Sequence, residues 1–170
     1  MNNIAENMLS YHHWANQTIL NRLRELPSAL LHQETASSYP TLAATLTHLY
    51  AVDQMWYLIV QGTDMPEALE QSRPLMEQGN DWSLEEFDER LSQQAQQYNT
   101  WIKQTDLKRT IQLNNPYVGV RQTSLEEIVL HLVNHGTYHR GNIATMLRQL
   151  GHSSVMNDYI LFWYQQSETV

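Results

Sequence analysis

His131, His135 and His139 stand four residues apart in the segment Leu130-His-Leu-Val-Asn-His-Gly-Thr-Tyr-His-Arg-Gly-Asn142. On a helix of roughly 3.6 residues per turn, four residues is one turn plus about 40°. Neighbours in the series therefore share a face, and two imidazoles so placed can hold one metal ion between them. Two histidines make an incomplete site, so a further ligand has to come from elsewhere. The chain has no cysteine. Thiolate ligands, a thiolate nucleophile and a disulfide framework are all excluded, leaving histidine nitrogen and carboxylate oxygen to hold a metal.

Four segments carry the helical periodicity that must position these groups. The first runs from about Asn3 to Glu25, with Ile4, Met8, Tyr11, Ala15, Ile19 and Leu23 at spacings of three and four, and Pro27 beyond its end. The second follows Pro40, with Thr41 as N-cap, and continues to about Val60, where Gln61-Gly62 stops it. The third opens on Ser83 with Glu86 as a capping box and reaches about Gln104. The fourth repeats the device with Ser124 and Glu127 and runs to Leu150, with Gly151 as its C-cap. Pro66, Pro74 and Gly79 predict a long connection before the third helix. Residues 110–121 predict a short hairpin or an irregular loop, and the aromatic tail 158–164 a short fifth helix. The whole reads as a single all-α domain over residues 1–170, a four-helix bundle with a short C-terminal helical segment.

The apolar seam of the fourth helix is Leu125, Ile128 and Leu132, resuming at Ile143, Met146 and Leu150. Continuing it across the gap lands on His135 and His139. A buried imidazole nitrogen without a partner costs about 1–3 kcal/mol, so two of them one turn apart need a shared reason. In the second helix, His48 lies on the inward series Thr41, Thr45, His48, Val52, Met55 and Ile59. A histidine facing a His-x3-His pair gives three nitrogen ligands from two directions, the pattern of catalytic metal sites that keep positions open. Two bland readings stand beside it: three histidines bonded only to one another and to water, or separate core residues. By spacing alone, His131/His135 is as good a pair as His135/His139. Its position beside the seam gives His131 a supporting hydrogen-bond role. His12 and His13 are adjacent, so at most one faces the core, and both read as solvated or boundary residues. Trp14, Trp56, Trp101 and Trp163 read as packing residues, and Gly136 and Gly141 as places where another helix approaches closely.

Acidic residues outnumber basic ones 18 to 10, a formal net charge of −8 with no basic stripe. Nucleic acid and anionic membrane surfaces are poor partners for such a chain. No apolar run of about 18 residues spans a membrane, and the N-terminal Met-Asn-Asn-Ile-Ala-Glu lacks the pattern of a signal peptide; a cytoplasmic protein is the expectation. His-Glu-x-x-His, Glu-x-x-His, Gly-x-Ser-x-Gly and phosphate-loop motifs are absent.

Asn134-His-Gly-Thr-Tyr-His-Arg-Gly-Asn-Ile-Ala, followed by Met146-Leu-Arg-Gln-Leu-Gly151, resembles the signature of the DinB/YfiT-like family. His48 in a Leu-x-His-Leu setting and Trp14-Ala-Asn16 fit the same pattern, so the likeness spans nearly the whole chain. The resemblance implies a four-helix bundle, often a homodimer, with a mononuclear site of His48, His135 and His139, and so favours His139 over His131. It implies zinc or nickel as the metal. It also implies a small-molecule thiol as partner, since characterised relatives are S-transferases using bacillithiol, mycothiol or glutathione, and a maleylpyruvate isomerase. The family name's link to DNA damage concerns expression, in keeping with the acidic charge. This chain departs from the family at Asn142, where glutamine is common, and in the loop around Asn114-Asn-Pro116.

Neutral imidazoles leave the full charge of a divalent ion uncancelled, enough to lower a bound water's pKa to about 7 or to deprotonate a coordinating thiol. The chemistry expected is thiol transfer to an electrophile or metal-assisted hydrolysis. The rival is a non-catalytic metal-binding or stress-related interaction protein on the same fold. Asp53, Asp158 and Tyr138 are polar residues available to act as a base, and protons should compete for the ligand nitrogens near the ordinary imidazole pKa of about 6.5.

Overall fold

Each of the four longest helices begins where a side chain accepts from one of its free amides. The structure, a computed structural model, describes residues 3–167. Its elements are helices α1 (Ile4–Arg24), α2 (Leu42–Val60), α3 (Met65–Gln78) and α4 (Leu84–Lys103), strands β1 (Thr110–Asn115) and β2 (Gly119–Ser124), and helices α5 (Leu125–Gln149) and α6 (Tyr159–Ser167). Asn3 caps α1 by accepting from the Ala5 amide at 3.0 Å, and Thr41 caps α2 by accepting from Ala44 at 3.0 Å. Ser83/Glu86 and Ser124/Glu127 form the two expected capping boxes. At their other ends α2 and α5 close identically. Gly62 and Gly151 take positive φ, 109° and 83°, while Thr63 and His152 donate back to Leu58 at 3.0 Å and Leu147 at 2.9 Å. This paired closure recovers carbonyls that would otherwise be orphaned.

Helices α1, α2, α4 and α5 form the four-helix bundle, with α1 against α4 and α5 and α2 against α5. One expectation is corrected. Residues 65–78 are the helix α3, packed along α2, where a long connection was expected. Pro66 sits in the first turn, where a missing N–H costs nothing. Pro74 lies inside and removes one helical hydrogen bond. Burial of Met65, Ala68 and Ser72 against the bundle carries the helix through it. Residues 110–124 resolve to an antiparallel hairpin, from Thr110 opposite Ser124 to Asn115 opposite Gly119, and it runs directly into α5. The C-terminal helix exists as expected, though as the sixth: Phe162 is buried against Tyr11 and Trp14. Trp163, expected to pack, is 53% exposed and lies edge-on to Tyr159.

The apolar core is split in two. One cluster joins Leu9, Trp56, Trp101 and Leu132, and the other Ile19, Leu46, Phe87 and Met146. Full burial of a side chain such as Phe87 stabilises by about 1.5–3 kcal/mol. Between the clusters lies a polar layer of His12 and Asn16 from α1, Asp53 from α2, and His139 and Arg140 from α5, each buried. Here the reading of α1 is corrected too. Tyr11, Ala15, Ile19 and Leu23 are buried as expected, but Ile4 is exposed and His12, expected at the boundary, is fully buried, because the inward face widens to take in Ala5, Leu9, His12 and Asn16. No helix among the described residues is long and apolar enough to cross a membrane.

Candidate metal centre

The polar layer opens at one side onto His48, His135 and His139. His139 is buried and the other two are half-buried. His48 Nε2 lies 3.0 Å from His135 Nε2. The rings of His135 and His139 are 4.4 Å apart, and that of His48 is 5.0 Å and 4.5 Å from them. One nitrogen from each lies within 4.8 Å of the others, a spacing that could hold a metal ion. The three Nδ1 atoms are buried with no protein partner among the described residues. Two imidazole nitrogens facing each other at 3.0 Å are satisfied if one carries a proton, or if both lone pairs point at a shared cation. The donor set is therefore three neutral nitrogens, with no fourth protein ligand grouped with them among the described residues.

Burial keeps these groups neutral. It lowers His135 to about 3, with repulsion from His139 and then His48 adding, and His48 to about 4, with His139 adding. Burial also lowers His139, against an opposing pull from the Asp53 charge. Half-buried His13 is lowered to about 3 by burial and then by His12. Proton competition at the triad is thus displaced below the ordinary imidazole range of about 6.5 where it was expected. The unfolded chain takes up protons from about pH 6.5 downward, while the folded chain refuses them until about 4 and 3. Stability is therefore fully present above about pH 6.5 and lost as pH falls through the folded values. Thermal unfolding of chelator-treated protein should show a Tm that declines steadily between pH 6.5 and 4. A flat Tm across that window would contradict the burial described here.

The structure brings together the three expected ligands and separates the rest. His131 makes no hydrogen bond to the triad, so the supporting role expected of it is withdrawn. Its exposed ring instead meets the edge of Trp56 at 5.0 Å and lies 6.3 Å from His135. Tyr138 is exposed and stands edge-on to His139 at 5.0 Å. Asp158 is exposed at the start of α6, and Asp53 faces inward, 2.8 Å from His12 Nε2. Gly136 is a true close approach, since a Cβ there would stand 2.6 Å from His12 Nδ1, whereas Gly141 faces open space.

Two features lay outside the sequence reading. Tyr39, in the loop before α2, stacks on His48 at 4.7 Å and leans on His139 at 5.7 Å. Burial, and then the neighbouring Tyr138, raise its pKa and keep the phenol protonated. The second is the buried chain in which Asp53 accepts from His12, while Arg140 donates to Asn16 Oδ1 at 2.8 Å and lies 3.3 Å from His12 Nδ1. Its only signal was His12 and Asn16 one turn apart on an otherwise apolar face.

Comparison with known proteins finds similarity over nearly the whole chain. The DinB family model matches residues 1–169. Protein DinB of Bacillus subtilis (strain 168) is 38% identical over 165 residues, covering 96% of this chain and 96% of that protein. A bundle with these features and matches over this length leaves one assignment: the chain belongs to the DinB family.

Proposed function

We propose that the protein holds one divalent metal, zinc or nickel, on His48, His135 and His139 and transfers a low-molecular-weight thiol to an electrophile. The observation that carries this reading is the convergence of three neutral imidazoles from two helices with no fourth protein ligand grouped with them among the described residues. A divalent ion there would supply the positive charge that favours the thiolate form of a cosubstrate. The helices do the positioning. One turn of α5 sets His135 and His139 on a common face, and α2 brings His48 opposite. Tyr39 covers one side of the triad and presents a protonated phenol close to it. With no cysteine in the chain, the attacking sulfur must come from the cosubstrate. The new sulfur–carbon bond forms as the bond to the leaving group breaks, and the thiol proton passes to solvent.

The net charge of −8 disfavours nucleic acid as a partner. The reading extends to a homodimer, which the family resemblance implies, and to a cytoplasmic location. Chelator-treated protein, reloaded with zinc or nickel and supplied with glutathione and 4-nitrobenzyl chloride, should take up close to one metal per chain and accelerate conjugation. His48→Ala should remove the acceleration while circular dichroism remains helical. Absence of metal uptake would overturn the reading. Uptake with no rate above background across a panel of thiols and electrophiles would leave a non-catalytic metal-binding protein.

A further inference from the structure

A groove of about 660 Å³ begins one helical turn from the triad, between α2, α5 and the hairpin. Its lining on α2 is Val52, Met55 and Trp56, which continue the face that starts at His48. On α5 it is Ile128, Leu130 and His131, and His131 is one turn before His135. The two helices that supply the triad thus supply both sides of the groove. His131 is the junction, its ring 5.0 Å from Trp56 and 6.3 Å from His135. Leu130 is 39% exposed, an apolar side chain left at the rim. The charges at the hairpin end cancel internally, because Arg121 donates to Glu127 at 2.6 Å. A groove of this size, with a mostly apolar lining to which Asn115 and Thr123 add polar groups, and with a neutralised rim, suits an uncharged body of small-molecule dimensions. Trp56 and His131 add ring faces and edges for stacking.

We infer that this groove binds the uncharged aromatic body of the electrophile and directs its reactive carbon toward the triad, with Trp56, Leu130 and His131 determining specificity. The inference rests on the triad being a catalytic centre, and its test separates the two. The probe is 4-nitrobenzyl alcohol, an unreactive analogue of the corresponding halide, titrated into full-length protein and followed by amide and indole NMR shifts. The expected result is saturable shifts concentrated at Val52, Trp56, Leu130 and His131, in chelator-treated and zinc-loaded protein alike. Leu130→Asp, a change at a partly exposed site, should weaken probe binding at least about tenfold with metal content unchanged. The same variant should raise KM for 4-nitrobenzyl chloride.

Shifts that map elsewhere, no saturable binding, or a Leu130→Asp protein that binds as before would each overturn the inference. Groove binding by a protein that takes up no metal would uphold the groove and remove the catalytic reading. Metal-dependent conjugation of iodoacetamide without groove binding would do the reverse.

Discussion

His135→Ala and His139→Ala should each abolish the proposed zinc or nickel binding, while His131→Ala should retain it within about tenfold. Removing a hydrogen-bond partner of a metal ligand typically costs about 10–100-fold in affinity, and removing one of three ligands should cost more. His131 is neither. Its ring stands 6.3 Å from that of His135 and rests on Trp56, whereas the His139 ring is 4.4 Å from His135 and 4.5 Å from His48. Calorimetry on chelator-treated variants, or competition with a chromophoric chelator, measures the difference directly. The opposite ranking, with His131→Ala losing the metal and His139→Ala keeping it, would place the site one turn earlier on α5.

Spacing alone could not make that choice. Four-residue intervals join His131 to His135 as well as His135 to His139, and the seam of α5 only leaned toward the second pair. What separates them is how α2 sits against α5, a tertiary fact that brings His48 to the later pair. The caps were legible for a different reason. Thr41, Ser83/Glu86 and Ser124/Glu127 act within a few residues of themselves, so their chemistry is written in adjacent letters. Helix α3 was not legible, because Pro74 argues locally for a break and the burial of Met65 and Ala68 that overrides it depends on α2. Tyr39 belongs to a loop with no periodicity, and nothing in Ser-Ser-Tyr-Pro points to His48. The polar layer was hidden by distance along the chain. His12 pairs with Asp53 across 41 positions, and Arg140 with Asn16 across 124. Read one helix at a time, α1 shows only His12 and Asn16 one turn apart, and nothing in α1 points to Asp53 or Arg140.

That layer should carry the largest stability effect in the molecule. Among the described residues Asp53 is the only buried carboxylate and Arg140 the only buried cation outside the histidines, each 2% exposed. They communicate through His12. Arg140 lies 3.3 Å from His12 Nδ1, and His12 Nε2 lies 2.8 Å from Asp53 Oδ2 and 3.1 Å from Asn16 Nδ2; with Nδ1 as the acceptor from Arg140, Nε2 carries the proton donated to Asp53. Asp53→Ala takes away the acceptor of that proton and the only carboxylate buried alongside Arg140. Breaking a buried charge system by removing one member costs about 3–5 kcal/mol, because the other charge stays in the core uncompensated. For a chain of this size that is a fall in Tm on the order of 10 °C. Arg140→Met alone should also destabilise, by leaving the Asp53 charge unbalanced. The double variant Asp53→Leu with Arg140→Met removes both charges and keeps apolar volume, so it should recover most of the loss. Denaturant unfolding of Asp53→Leu, Arg140→Met and the double variant closes the cycle, and a coupling near zero would mean that the two residues act independently. A strong coupling would tie α1, α2 and α5 together through one buried chain of hydrogen bonds. The register that brings His48 to His135 and His139 would then be fixed from behind the site.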